Sequence, residues 1–227
     1  MIAMTILSNR IAAQASKWTF SIGPIKELID RYVGNGIGWV DPFAGMNSPA
    51  EFTNDHNPDC KASYHMEAAD FCKMLVPEPP GFAGVLFDPP YSYRQVSEHY
   101  KVLGKKATPL DTSTQFYSRV MNPICDKIRP GGYAISCGWN SNGFGKHRGF
   151  ELIEVLLVAH GTHHNDTVVV VERKYNGHLT GDGWKMTADV ERTIGLQFKP
   201  EPVIEDVGCG IKSCQAAAAM SAIQEDT

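Results

Sequence analysis

A chain of 227 residues, 43% hydrophobic and 20% charged, has the size of one globular domain with a sizeable core and is too short for two full ones. Its 21 Lys and Arg against 25 Asp and Glu leave a net charge of −4, which supplies no global attraction for a polyanion, so nucleic acid has to be held by local patches. The longest apolar runs, Leu152 to Ala159 and Val168 to Val171, fall far short of the roughly 20 residues of a membrane span, and the six cysteines form no Cys-x-x-C pair, which argues against a membrane partner, a disulfide frame and a zinc site.

In chain order, Met1–Arg10 lacks the charged start, apolar block and cleavage site of a secretory signal, so a soluble protein with reduced thiols is expected. Pro24–Val33 reads as a helix, since Pro24 suits a first turn and Ile25, Leu28, Ile29 and Tyr32 share one face. Short β-branched or aromatic runs predict strands at Gly38–Phe43, Ala50–Asp55, Ala62–Met66 and Gly84–Phe87. A helix is expected over Ser113–Ile128, interrupted by Pro123, and a strand over Tyr133–Cys137. Glu151–His160 and Thr167–Arg173 follow with only a short polar segment between them, which leaves no room for a crossover helix, so they pair antiparallel. Residues 175–227 break the pattern and predict irregular structure ending in a short helix within Ser213–Gln224. The fold class is α/β, a Rossmann-like mixed sheet, mostly parallel with a C-terminal antiparallel hairpin, with one domain at 1–174 and an extension at 175–227. That plan resembles the class I S-adenosylmethionine-dependent methyltransferases.

The sharpest motif is Asp88-Pro89-Pro90-Tyr91, directly after the apolar run Val85-Leu86-Phe87. A strand ending in Asp and two prolines halts at the carboxyl edge of a parallel sheet, where doubly wound proteins bind ligands. The prolines remove two backbone donors and leave the Pro89 carbonyl free to accept, while Tyr91 offers a flat ring. A carboxylate, a carbonyl and an aromatic face suit the exocyclic amine of a purine: two acceptors take its hydrogens and the ring is held by stacking. The tetrapeptide resembles the motif of adenine-N6 methyltransferases, which implies catalytic roles for Asp88, Pro89, Pro90 and Tyr91.

The same resemblance implies a cofactor segment. Asp41-Pro42-Phe43-Ala44-Gly45 is similar to the family's first cofactor motif, an acidic strand end followed by a tight glycine turn; the family's usual second glycine is Asn47 here. Asp55 stands 14 positions beyond Asp41, closer than the roughly 20 of dinucleotide-type folds, so the intervening helix reduces to the turn Met46–Pro49. Asp55 remains placed to accept from ribose hydroxyls. Asp70 and Phe71 either hold the cofactor's adenine or open a helix, with Asp70 in its first turn and Phe71 in the core. Lys17 and Trp18, before Pro24, resemble the segment that holds the methionine carboxylate in members whose cofactor part precedes the catalytic one.

Three segments are candidate substrate contacts. Ser92–Thr112 carries Tyr93, Arg94, Lys101, Lys105 and Lys106 and is locally basic and aromatic. Gly138–Arg148 combines Trp139, Asn140, Lys146 and Arg148, suited to stacking on a displaced base and to flanking phosphates. The turn after Glu151–His160 carries His163, His164, Asn165 and Asp166; methyl transfer from a sulfonium needs no metal, so no metal site is expected, and by resemblance His164 and Asn165 line the target-base pocket.

Across 17–174 the motif order resembles a compact, phage- or prophage-like group of adenine-specific DNA methyltransferases. The implied cofactor is S-adenosyl-L-methionine, and the implied partner is double-stranded DNA with the adenine flipped out. The implied location is the cytoplasm of a bacterial or phage-infected cell. No segment is long enough for a separate target-recognition domain, so specificity is expected to be short or relaxed, or shared with a homodimer mate or a specificity partner. An RNA adenine methyltransferase and a non-catalytic cofactor- or nucleic-acid-binding subunit stay open as alternatives. The whole negative surplus lies after residue 200, while the basic residues near 94–106 and 146–148 flank the expected catalytic edge.

Overall fold

The structure, a computed structural model, describes residues 6–91, 96–97, 108, 112–161, 164–175, 177–180 and 183–186. Its strands are β1 (Leu7–Ala12), β2 (Trp39–Asp41), β3 (Phe52–Thr53), β4 (Phe82–Phe87), β5 (Ile128–Gly138), β6 (Phe150–Ala159) and β7 (Thr167–Lys174). Its helices are α1 (Gly23–Val33), α2 (Ala68–Met74) and α3 (Thr114–Cys125). The seven strands form one sheet in the order β1-β6-β7-β5-β4-β2-β3, all parallel except β7, which runs against both β5 and β6. This is the Rossmann-like mixed sheet, with its antiparallel closing hairpin, that the sequence predicts.

Alternation along the central strands feeds two cores. Leu86, Ile135, Val169 and Val171 pack with Ile25, Leu28 and Ile29 of α1 on one face. Val85, Phe87 and Ala134 pack with Phe71 and Cys72 of α2 and with Val120 and Ile124 of α3 on the other. Chain direction across the sheet reverses between β2 and β4: β3 lies beyond β2 on one side, and β5 beyond β4 on the other. The crevice at that switch point lies at the carboxyl ends of β2 and β4, where Asp41 and Asp88 stand.

Four expectations need correction. Ala62–Met66 is no strand: only Tyr64 makes a parallel bridge, to Asn54, because the preceding segment folds into turns around Asn57 and Cys60. β1 was not expected, because Leu7-Ser8-Asn9-Arg10 has no apolar alternation; it lies at the sheet's edge, largely exposed, and is held by parallel backbone pairing to β6. Pro123 does not cut its helix short of the last turn; α3 continues past it and ends two residues on, at Cys125. The extension is not wholly irregular: β8 (Gly177–Thr180) and β9 (Gly183–Met186) pair as an antiparallel hairpin, and the Gly-Asp pair between them in the sequence is a turn signal. The helix expected within Ser213–Gln224 and the acidic residues after 200 lie outside the described residues.

Candidate active site

Five segments meet above the switch point and line one open cleft of about 170 Å³. Lys17–Phe20 reach it because β1 ends beside β6 at the carboxyl edge and Ala13 still bonds to the Ala159 carbonyl, which aims the following residues across the sheet. The turn after β2 supplies Pro42, Phe43, Ala44, Gly45 and Asn47. The segment after β3 supplies Asn54–Asn57, and Met66–Ala68 follow at the start of α2. The strand end of β4 supplies Asp88, Pro89, Pro90 and Tyr91, and Val96 and Phe116 complete the wall.

Gly45 has φ near +55°, and a Cβ there would lie 3.0 Å from the Trp18 ring, so only glycine lets the turn and the 17–20 segment close on each other. Its N–H donates to Asp55 Oδ2 at 2.9 Å, while Asp55 Oδ1 accepts from the Asn57 N–H at 2.8 Å. Asn54, fully buried, ties the loops together: its amide donates to the carbonyls of Pro42 and Met66, and its Oδ1 accepts from the Met66 N–H. The Lys17 ammonium sits 4.9 Å over the Trp18 ring.

Carboxyl groups dominate the electrostatics. Burial pushes Asp88 up to about 7, against a hydrogen bond from Thr19 that pulls it down. Asp88 Oδ1 is buried and has no hydrogen-bond partner among the described residues. Burial pushes Asp41 up to about 7 as well, opposed by bonds from Ser48 and Phe43 and reinforced by the charges of Asp88 and Asp55. Three acidic side chains, Asp55, Glu67 and Asp88, line a cleft whose walls are otherwise mostly aromatic, aliphatic and amide, with Asp41 behind them. That is a setting for a cation and for N–H donors, because an unmatched buried acceptor is costly until a ligand supplies the proton.

Several expected residues stand elsewhere. Asp41 is behind the wall rather than in it: its carboxylate accepts from the Phe43 N–H at 2.9 Å and the Ser48 hydroxyl at 2.6 Å and so shapes the 42–48 turn. Asp70 and Phe71 do not line the cleft. Asp70 is exposed in the first turn of α2, bonded to Lys73 at 2.9 Å, which holds its carboxyl below the usual range, and Phe71 is fully buried in the core against Tyr64. The acidic side chain that does reach this wall is Glu67, one helical turn earlier, with His56 3.5 Å away.

Arg148 is not poised for phosphate. Its guanidinium is shared among the Asn122 side chain, the Ser118 hydroxyl and the Phe144 carbonyl at 2.8–3.0 Å, which fastens its loop to α3. Lys146 is exposed, and Asn140 is exposed with its Oδ1 accepting from the Asn142 N–H. Trp139, 46% exposed, is tilted against Tyr91 with ring centroids 6.0 Å apart. His164 and Asn165 are exposed in the β6–β7 turn, at the same sheet edge as the cleft but not in its lining. Tyr93 and Arg94 lie outside the described residues. Sequence reasoning missed Glu67 and Phe116, and it took Thr19 and Asn54 only as members of the Lys17-Trp18-Thr19 and Asn54–Pro58 segments, with no role of their own. Glu67 had a signal, an acidic residue just before the Ala68-Ala69 start of a helix, whereas Asn54 had none beyond its place next to Asp55.

Fold and cleft together define a Rossmann-like α/β chain, a mostly parallel sheet closed by an antiparallel hairpin, with an open cleft at its switch point. The sequence matches no protein-family model and no curated protein. Among solved structures it is similar to HI0767 of Haemophilus influenzae, a provisionally assigned methylase, with 12% identity over 66% of this chain and 88% of that one and a TM-score of 0.40. It is similar to TrmN of Thermus thermophilus, with 14% identity over 67% of this chain and 49% of that one and a TM-score of 0.45. It is also similar to the N-methyltransferase NodS of Bradyrhizobium japonicum, with 9% identity over 76% and 87% and a TM-score of 0.30. These likenesses are remote, and the fold rests on the strand order itself.

Proposed function

We propose that this chain transfers the methyl group of S-adenosyl-L-methionine to N6 of an adenine in DNA. The observation that carries the proposal is the buried Oδ1 of Asp88, which has no hydrogen-bond partner among the described residues, in an acceptor-rich cleft, followed by two prolines that offer no N–H and then by the Tyr91 ring. A purine amine has two hydrogens to give. Asp88 and the Pro89 carbonyl are the two acceptors, Tyr91 is the stacking surface, and Trp139 extends that surface outward.

The other half of the cleft suits the cofactor on two grounds. The Gly45 cradle leaves backbone open where a Cβ would clash with Trp18, and the wall lined by Asp55, Glu67 and Asp88 suits a positively charged ligand. Lys17 would face the methionine carboxylate, Asp55 the ribose hydroxyls, and Glu67 the adenine amine, with Phe43 beside it. When bound, the cofactor supplies a methyl group made electrophilic by a sulfonium. With the neutral thioether as leaving group, Asp88 and the Pro89 carbonyl would orient the amine's lone pair and stabilise the positive charge it acquires until its proton passes to Asp88 or to water, so the protein's contribution is alignment and charge stabilisation. Residues 1–174 would carry all of this. Double-stranded DNA is the proposed partner, with recognition by short segments or by a second subunit.

The test is incubation with isotopically labelled cofactor and unmethylated duplex DNA, beside matched RNA, followed by nucleoside mass spectrometry. The expected product is N6-methyladenine in DNA. Label in RNA alone, or in no nucleoside, overturns the proposal.

A further inference from the structure

Pro89 and Pro90 carry no N–H, so the backbone of this pair can be anchored by hydrogen bonds only through its carbonyls. One such anchor is present. The hydroxyl of Tyr117, on α3, donates to the Pro90 carbonyl at 3.1 Å. Burial pushes the Tyr117 phenol above its ordinary range, so it stays a donor, and its ring is fixed edge-on to Phe87, the last residue of β4, with centroids 6.1 Å apart.

The anchor is itself held. Glu172 of β7 accepts from the N–H groups of Phe144 and Gly145, and Arg148, a few residues on, grips Ser118 and Asn122 of α3. A continuous set of bonds therefore runs from β7 through the 144–148 turn and α3 to the tetrapeptide. Phe116, the neighbour of Tyr117, lines the cleft.

We infer that Tyr117 is a positioning residue: by occupying the Pro90 carbonyl it fixes the rotation of the double-proline segment, so that the Pro89 carbonyl and the Asp88 carboxyl face the amine together. This rests on the methyltransferase reading proposed above. It also gives Arg148 a role through α3 rather than through a phosphate.

Tyr117→Phe tests it, because the ring keeps its packing and only the hydroxyl goes. The expected result is a kcat lowered about tenfold, of the order that a small misplacement of reacting groups produces. Cofactor Kd should stay within about twofold and thermal stability close to wild type, as befits the loss of one partly exposed hydrogen bond. In protein labelled with 13C at proline carbonyls, the Pro90 resonance should move in the variant. An unchanged kcat, or an unmoved Pro90 resonance, overturns the inference and leaves the methyltransferase reading standing; a wild-type protein that methylates no adenine takes both down.

Discussion

Two sets of buried charge in this molecule are treated in opposite ways. In the scaffold each is matched. Lys174, 8% exposed, donates to the carbonyls of Cys125 and Arg148 at 3.0 and 2.8 Å and caps the end of α3. Lys127 does the same for the end of α2, reaching the carbonyls of Cys72, Lys73 and Leu75. Glu154 takes the Arg31 guanidinium and the Tyr32 hydroxyl, both at 2.7 Å. At the switch point, Asp88 keeps a buried oxygen that has no partner among the described residues, and Asp41, though bonded to Phe43 and Ser48, has its carboxyl pushed far from its ordinary range. Buried polar groups in folded proteins are satisfied with few exceptions; the Ser136 hydroxyl of β5 is another among the described residues, but Asp88 is the one that is also a carboxyl lining the cleft, and that combination marks where a ligand completes the structure.

The sharpest way to break that contrast is Asp88→Ala. Methyl transfer should fall by at least about 10³-fold, in line with the loss of a group that stabilises charge in the transition state. Cofactor binding should remain measurable by calorimetry, since Lys17, Asp55 and Glu67 are untouched. Methylation at the wild-type rate would show that the unpartnered oxygen has no chemical role. On the scaffold side, Lys174→Met should destabilise the fold by about 2–4 kcal/mol, because two buried carbonyls lose a charged donor, while specific activity per folded molecule stays near wild type. Urea titration with an activity assay on the folded fraction separates the two effects; an equal loss of both would erase the distinction.

The contrast also has a sign in pH. The folded-state values of Asp41 and Asp88 are raised from 3.8 to about 7, so between those limits the folded protein binds protons that the unfolded chain has released. The stabilisation they contribute is complete below about pH 4 and is lost as pH rises through 7. Free protein should therefore lose stability between about pH 4 and 7 by way of these groups, and Asp88→Asn should flatten that slope in a series of thermal melts. A cationic ligand prefers the ionised carboxyls, so cofactor affinity should rise over the same interval. A fall in affinity from pH 6 to 8 would contradict a carboxylate-lined cation site.

Sequence alone was a good guide wherever local chemistry decides the structure. The apolar strand Val85–Phe87 running into Asp-Pro-Pro, the face of α1 and the short link between β6 and β7 each carry their own signal. β1 was invisible because its polar residues say nothing; pairing with β6 makes it a strand. The 144–148 segment read as a loop for phosphate because Lys146, His147 and Arg148 are adjacent, and nothing in the sequence announces that Glu172, 27 residues beyond Gly145, will pin it. Asp41 and Asp88 were legible as strand-end acids, but only the burial around them tells that one shapes a turn and the other faces the cleft.

The smallest predicted effect concerns two acids three residues apart. Positions i and i+3 on a helix are neighbours in projection, but Glu67 precedes α2 at its N-cap while Asp70 lies inside the first turn, and they leave the backbone toward different surroundings. Asp70 is already spent on Lys73 and is 64% exposed. Glu67 lines the cleft. Glu67→Gln should therefore weaken cofactor binding roughly threefold to tenfold, the scale of one hydrogen bond to a charged or polar partner. Asp70→Asn should leave the Kd within about twofold, since an exposed pair with Lys73 contributes little. Both are read by the same calorimetric titration. If Asp70→Asn is the more harmful, α2 must shift when the cofactor binds, because the present geometry keeps Asp70 away from the cleft wall.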